Sequence, residues 1–584
     1  MKKLFTMMAL IAINFGILNA GNYYINTTLL TGANDGSSWD NAFQTFDKAI
    51  TIGTGSGGFM TDATVDNVFI KGSISKPGSS WTMSVDNYYG SCAGNETDPA
   101  QRPMNDNDGN GITESWEFLY PTVYTTNNNG TAINVSTTLL DGFTITQTGT
   151  KDNAMMTSVI IPVGGTVQNC VFAGSNLTYT NMATNNGGCL IKNIGTLKSC
   201  LIEKNTISIT YPATGIVDIK MAPILDINFS ATTTATQAVI VSGCIFRNNK
   251  ALITNTSATA APDNLRGMIL NVTQTNSTAT PTPPLPTVTF NNCIVHNNEA
   301  SYTGSTNFPA SLKGSIAGGL GFSANTSTDN YTNCLFANNK TTNMFTCFYV
   351  AANNAVVHKG YNNVVWNNQN TVSSTSVTSA VSMGSSSAQN VSAVFSNNYI
   401  DVSKTGTWDN GTTIIWNATT NQTNLSKTNS GTNAPYFKKP PMNGSNNVIG
   451  ANRVGGSADS IAIAQADWRL TTTSSYLYSK GISTSILTDK AGKNYASTPS
   501  VGPYEYDASI TTAINKLENL SNVFTVATNG VIANCDGLVQ VISFSGKTLQ
   551  NQKIVSGQFI SLSQGAYILR LTNNKGVYTQ KIVF

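Results

Sequence analysis

The sequence predicts an all-β protein: a right-handed parallel β-helix (a solenoid) followed by a small C-terminal β-sandwich. Three observations predict it. One phrase recurs seven times, as Cys170-VFAGS, Cys200-LIEKN, Cys244-IFRNN, Cys293-IVHNN, Cys334-LFANN, Asn363-VVWNN and Ala393-VFSNN, at spacings of 30, 44, 49, 41, 29 and 30 residues. Charge is scarce, with 10% DEKR against roughly 25% in ordinary globular domains, so Asn, Thr, Ser and Gly supply the polarity. Residues 511–584 then change character, to alternating strands joined by Gly/Asn turns.

Taken in chain order, the first segment is MKKLFTMMALIAINFGILNA. Two lysines, an apolar run from Leu4 to Leu18 and a small residue at Ala20 predict a secretory signal peptide over 1–20. The run is short for a bilayer span, no Cys follows Ala20 to take a lipid anchor, and no later segment offers about 18 uninterrupted apolar residues. Residues 21–60 are expected to cap the solenoid and 61–507 to form its coils. In each copy of the phrase the first and third positions alternate with the second and fourth, as in a strand. Cys and Phe/Val are therefore expected to stack inward, coil on coil. The fourth column (Ala173, Glu203, Arg247, His296, Ala337, Trp366, Ser396) is expected to face solvent. The trailing Asn residues are expected to stack amide on amide while satisfying the turn backbone.

Spacings near 30 suit one coil, and those of 41 to 49 suit one coil with a long loop or two short coils. PTPPLP at 281–286 reads as such a loop. About fifteen coils at about 4.8 Å each would give a rod of about 70 Å. A helical solenoid would need a 3.6-residue apolar period, and a propeller an even repeat near 40 to 45 residues. Five of the nine Cys fall in one inward column. They are expected to be buried small hydrophobes rather than a disulfide framework, and the absence of a CxxC pair gives no zinc signature.

Several segments resemble secreted bacterial right-handed β-helix proteins of the choice-of-anchor type. YYINTTLLTGANDGSSWDNAFQTFDKAI (23–50) is similar to their N-terminal cap, VDNVFIKGS (65–73) to their first coil, and YYGSCAGNETDPAQRP (88–103) to their Y-G-G-F-x-G-x-E-T…Q-R segment. DGFTIT (141–146) resembles the phrase that opens the regular coils, and ADWRLTTTSSYLYSKG (466–481) with VGPYEYD (501–507) resembles the closing motifs. Ser91-Cys92, Val501 and Pro503 depart from those patterns. The repeated phrase with Gly187-Gly188 and Gly318-Gly319 also resembles chlamydial polymorphic outer-membrane proteins. SGKTL (545–549), GAYILRL (565–571) and KIVF (581–584) resemble the C-terminal sorting domain of type IX secretion cargo in Bacteroidetes-type bacteria, though the usual P-N-P before the first strand is missing. That resemblance implies a destination outside the outer membrane.

Chemistry is sparse. Polysaccharide lyases and hydrolases need clustered carboxylates, whereas Glu203, Asp218, Asp226, Asp263, Glu299 and Asp329 are scattered over different coil positions. His296 and His358, the only histidines, are expected to be exposed rung or turn residues. NDNDGNGITESWE (105–117) fits a calcium loop, with ligands expected from Asp106, Asp108, Asn110, the Ile112 carbonyl and Glu117. Its role would be structural. Tyr361, Trp366, Trp408 and Trp416 are expected to offer faces on which glycans stack, and Asp459-Ser460-Ile461 resembles a bacterial O-glycosylation acceptor. A net charge of +3 without a basic run argues against nucleic acid and anionic membrane surfaces. The expected function is a monomeric, non-enzymatic secreted or cell-surface protein, adhesin-like or glycan-contacting, with glycans or surface proteins as partners. The alternative is a polysaccharide lyase or glycoside hydrolase.

Overall fold

The computed structural model describes residues 21–583 except 52–64, 182–188, 212–222, 230–237, 257–268, 276–286, 305–316, 323–327, 342–347, 353–356, 371–380, 385–391, 402–413, 417–418, 444–446, 449–456, 513–523, 544–546, 574–575 and a few single positions. The signal-peptide segment 1–20, the PTPPLP segment, Gly187-Gly188 and Trp408 lie outside the described residues.

From Gly21–Asn26 to Ile414–Trp416 the strands stack in three long parallel sheets of twelve, nine and sixteen strands. The last consists of two ladders that share the ten-residue strand Phe143–Asp152. One coil visits the sheets in turn: Thr166–Gln168, Val171–Ala173, Asn176–Thr180 and Cys189–Asn193, after which Thr196–Lys198 pairs onto the strand where the coil began. This arrangement is consistent with a parallel β-helix. Among the described residues, twelve levels rather than about fifteen give a stack of about 50 Å. The segment before the coils contributes its own strand, Gly21–Asn26, to the twelve-stranded sheet, and the short helix Phe46–Thr51 follows it.

Register settles what each copy of the phrase is. Val171, Leu201, Ile245, Ile294, Leu335 and Val364 are successive Cα partners, so intervals of 29 and of 49 residues each make a single coil. The seventh copy breaks the rule. Val364 pairs with Tyr399, while Ser392–Ser396 pairs with Val357–Tyr361 in the twelve-stranded sheet. Ser396 therefore leaves the fourth column, because this coil is 35 residues long rather than 30.

The two trailing Asn do different jobs. The first sits at a corner in the left-handed region: Asn248, Asn297, Asn338 and Asn367 have φ of 53° to 58°, where Asn and Gly are the tolerated residues. A matching left-handed corner precedes the Cys, at Asn169, Ser199, Gly243, Asn292, Asn333 and Asn362. The second trailing Asn points inward and forms the ladder. The backbone N–H groups of Ser175, Asn205, Asn249, Asn298 and Asn339 donate to the side-chain oxygen of the Asn one coil on, at 2.9 to 3.2 Å. Each ladder amide also donates to a carbonyl of the coil before, as Asn298 does to Phe246 at 2.8 Å. These side chains thus satisfy buried corner backbone that no strand reaches.

The Cys column is more than apolar packing. All five thiols are free and buried, and each contacts the carbonyl oxygen two residues earlier. Each also contacts one carbonyl of the preceding coil, as Cys200 does Val167, Cys244 Leu197, Cys293 Val241 and Cys334 Phe290. From Asn363 onward the column changes chemistry and keeps its acceptor. Asn363, Asn398 and Asn421 donate to Tyr331, Gly360 and Phe395, the next members of that carbonyl series, at 2.7 to 2.9 Å. Thiol and amide are interchangeable here because both donate to a buried carbonyl.

After Gln422, which still pairs in parallel with Tyr399, the described chain leaves the coils. The described residues from there to Tyr506 belong to the same compact unit but run as a strap along the outward face, so the described coils end well before position 507. Corner Asn side chains staple it down: Asn292 donates to Thr488, Asn338 to Pro441, Asn362 to Ile482, Asn367 to Lys427 and Asn397 to Lys480, at 2.7 to 3.2 Å. The second compact unit, Asp507–Phe584, holds two small antiparallel sheets of three and four strands. Val531, Val539, Val541, Ile560, Leu569 and Leu571 are buried in one apolar cluster between those strands.

Candidate functional site: a groove at the open end of the outward face

The fourth column does not face solvent along its length. The strap buries Ile245, Ile294, Leu335, Ala337, Val364 and Trp366 under Leu425, Phe437, Ala466, Trp468, Leu470, Leu477, Val501 and Tyr504. His296 is 1% exposed and lies edge-on to Trp468 at 5.3 Å. Burial holds its imidazole pKa down at about 3, so the ring is neutral. The expectation of an exposed rung histidine is thereby corrected. His358 sits in the strand Val357–Tyr361 rather than in a turn.

Of the four aromatics expected to offer faces to glycans, Trp366 is placed otherwise. Trp366 is fully buried, packed edge-to-face on Phe437 and Trp468 with its indole N–H donating to the Ser426 carbonyl at 2.7 Å. It has no free face for a sugar. Tyr361 is half-buried in the twelve-stranded sheet, where the strand Ile414–Trp416 also lies. Trp366 belongs to a different sheet from these two.

Among the described residues of this column, only the first rungs stay open: Val171, Ala173 and Glu203 are partly exposed. Here a loop from Pro103 to Leu119, closed by the Met104–Phe118 bridge and the Leu119-to-Pro103 backbone hydrogen bond, meets the helix Ser457–Ala464 of the strap. Between them lies a groove of about 550 Å³, within the roughly 300–1,000 Å³ typical of small-ligand sites. Its apolar lining comes from Trp116, Phe118, Pro121, Val171, Leu201 and Ile461, and its polar lining includes Asp108, Glu117, Glu203, Lys204, Arg247 and Gln465.

Arg247 organises the groove. Its Nε donates to Glu203 at 2.9 Å, and its Nη1 donates to Asp108 at 2.8 Å and to the Ala464 carbonyl at 2.7 Å. Ala464 closes a helix, so the guanidinium also meets the negative end of that helix. Burial works against the charge, but Glu203 and Asp108 outweigh it and hold Arg247 more firmly protonated than usual. Lys204 completes the set on Glu203 at 3.0 Å. Burial raises the Asp108 and Glu117 carboxyls.

The loop brings the carboxyl oxygens of Asp106, Asp108 and Glu117 within 4.8 Å of one another. Asp106 accepts from the Gly109 and Gly111 N–H groups at 2.8 and 3.0 Å. Those two glycines sit at φ of 72° and 81°, where a Cβ would be strained. Glu117 accepts three backbone N–H groups, from Asn107, Asp108 and Glu114. Hard carboxylate oxygens at this separation fit calcium. Asn110 does not join them, since its side chain turns to Glu114 and to the Ile112 N–H, and Asp108 shares one of its oxygens with Arg247. Glu114, pushed up to about 8 by burial, is a neutral hydrogen-bonding group at neutral pH.

The sequence marked the loop, and it placed Glu203 and Arg247 in one outward column. Nothing in local pattern showed that residues near 108, 203, 247 and 464 converge. No protein-family model and no curated protein matches the chain.

Proposed function

We propose that the protein is a non-enzymatic, secreted or cell-surface scaffold, adhesin-like and glycan-contacting. On this reading a right-handed parallel β-helix forms the body and a β-sandwich of the type IX sorting kind ends it, with the groove at the open end as the contact site. One observation carries the reading: each carboxylate lining the groove is already held. Asp108 and Glu203 grip Arg247, and Glu117 caps three backbone N–H groups. Groups so committed suit recognition better than proton transfer, which needs a carboxyl free to exchange its proton with substrate. Asp106, Asp108 and Glu117 support a calcium ion that stiffens the loop, without a part in chemistry. The test is a glycan array probed with the whole chain, run beside reducing-end assays on the same polysaccharides. Binding without product release is expected.

A second reading, a glycoside hydrolase or lyase, is favoured by the presence of Asp108, Glu117 and Glu203 on one groove. Sustained product release that disappears in Glu203→Gln would replace the first reading with this one.

A further inference from the structure

We infer that the groove binds an uncharged saccharide, with Arg247 donating to its oxygens. This rests on the glycan-contacting reading above and adds the ligand class and the residue that reads it. Arg247 is 2% exposed as a residue, and its Nε and Nη1 are fixed by Glu203, Asp108 and Ala464. Its Nη2, with two N–H groups, has no hydrogen-bond partner among the described residues. An immobilised donor pair facing an open groove offers its N–H groups to acceptor atoms of a ligand, at little further cost in side-chain ordering.

The charge balance selects among acceptors. Asp108, Glu117 and Glu203 line the groove against Lys204 and Arg247, with Asp106 beside them. With the calcium ion proposed above the charges balance, and without it the sum is negative, so in neither case does a net positive charge draw in a uronate or phosphate. Both cations are already paired to Glu203. A cationic sugar would in turn sit against the Arg247 guanidinium. Neutral hydroxyl and ether oxygens take the Nη2 protons, and hydroxyl protons find carboxylate lone pairs. Val171, Leu201 and Ile461 give the apolar surface against which the C–H face of a pyranose packs.

The experiment is calorimetric titration of the full chain with neutral cello-, manno- and malto-oligosaccharides, oligogalacturonate and chitosan oligomers. Wild type is compared with Ile461→Arg and Arg247→Lys. Ile461 is 58% exposed, so its substitution blocks the groove without touching the core, and a thermal melt verifies the fold of both variants. Expected is binding of at least one neutral series, weakened tenfold or more in Ile461→Arg and in Arg247→Lys, with no binding of oligogalacturonate or chitosan. Neutral-sugar binding unchanged in Ile461→Arg overturns the groove as the site and leaves the glycan-contacting reading standing. Equal binding of oligogalacturonate or chitosan overturns the ligand class. Absence of binding to every glycan overturns the inference together with the reading on which it rests.

Discussion

The two ends of one outward face differ in what covers them. From Ile245 to Trp366 the strap turns the face into a second apolar core, while at Val171, Ala173 and Glu203 the same strands are partly open. Backbone geometry is shared along the column, as the in-register pairing shows. Burial of a solenoid's outer column is therefore decided by a segment distant in sequence, and repeat position alone cannot tell a binding residue from a core residue.

The largest expected effect comes from excavating the sealed end. Trp366→Ala should cost about 3–5 kcal/mol in denaturant unfolding, whereas Val171→Ala at the open end should cost about 1 kcal/mol or less. Equal losses would mean that the strap adds nothing to the sealed end.

The two ends should also respond oppositely to pH. His296 is held near 3, below its ordinary 6.5. Its neutral form is favoured by folding, so stability is full above about 6.5 and falls as pH drops toward 3, at up to about 1.4 kcal/mol per unit. Glu114 is held near 8, above its ordinary 4.5. Its contribution is full below about 4.5 and is lost as pH rises through 8. His296→Gln should flatten the acid limb of a stability–pH curve and Glu114→Gln the alkaline limb. Removal of both limbs by one substitution would break the comparison.

A smaller effect separates the corner from its staple. Asn338 has φ of 55° and donates to the Pro441 carbonyl. Asn338→Gly keeps the left-handed corner and loses the staple, for about 1 kcal/mol. Asn338→Ala loses both, for about 2 kcal/mol. The smallest expected change is Cys244→Ser, which retains a donor toward Leu197 and should cost less than Cys244→Ala; thermal melts of the two variants measure the difference.

Much of the stack was legible. Cys200, Ile202 and Asn205 show inward packing and laddering through alternation and repetition alone, because in a parallel stack each coil meets its own copy. The strap was not legible, since Trp468 and Phe437 follow no period and meet the coils across 70 to 170 residues of chain. The error at His296 and Trp366 follows directly, as alternation gave their direction correctly and could say nothing of what lies in that direction. The seventh copy misled for a related reason: its letters match, but a coil of 35 residues moved them into another sheet. In the calcium-like loop, Asp106, Asp108 and Glu117 were predictable from spacing. The rival claim of Arg247 on Asp108, 139 residues away, was not.

The strap also bears on the order in which the chain acquires structure. A solenoid whose coils touch only their neighbours can assemble and fray from either end, one repeat at a time. This one holds rungs from Arg247 to Asn397 with a single segment that emerges after the coils during synthesis. Its outer core closes only after the coils beneath are wound. Closure then couples non-adjacent coils, so the stack is expected to unfold as one cooperative unit rather than unzip.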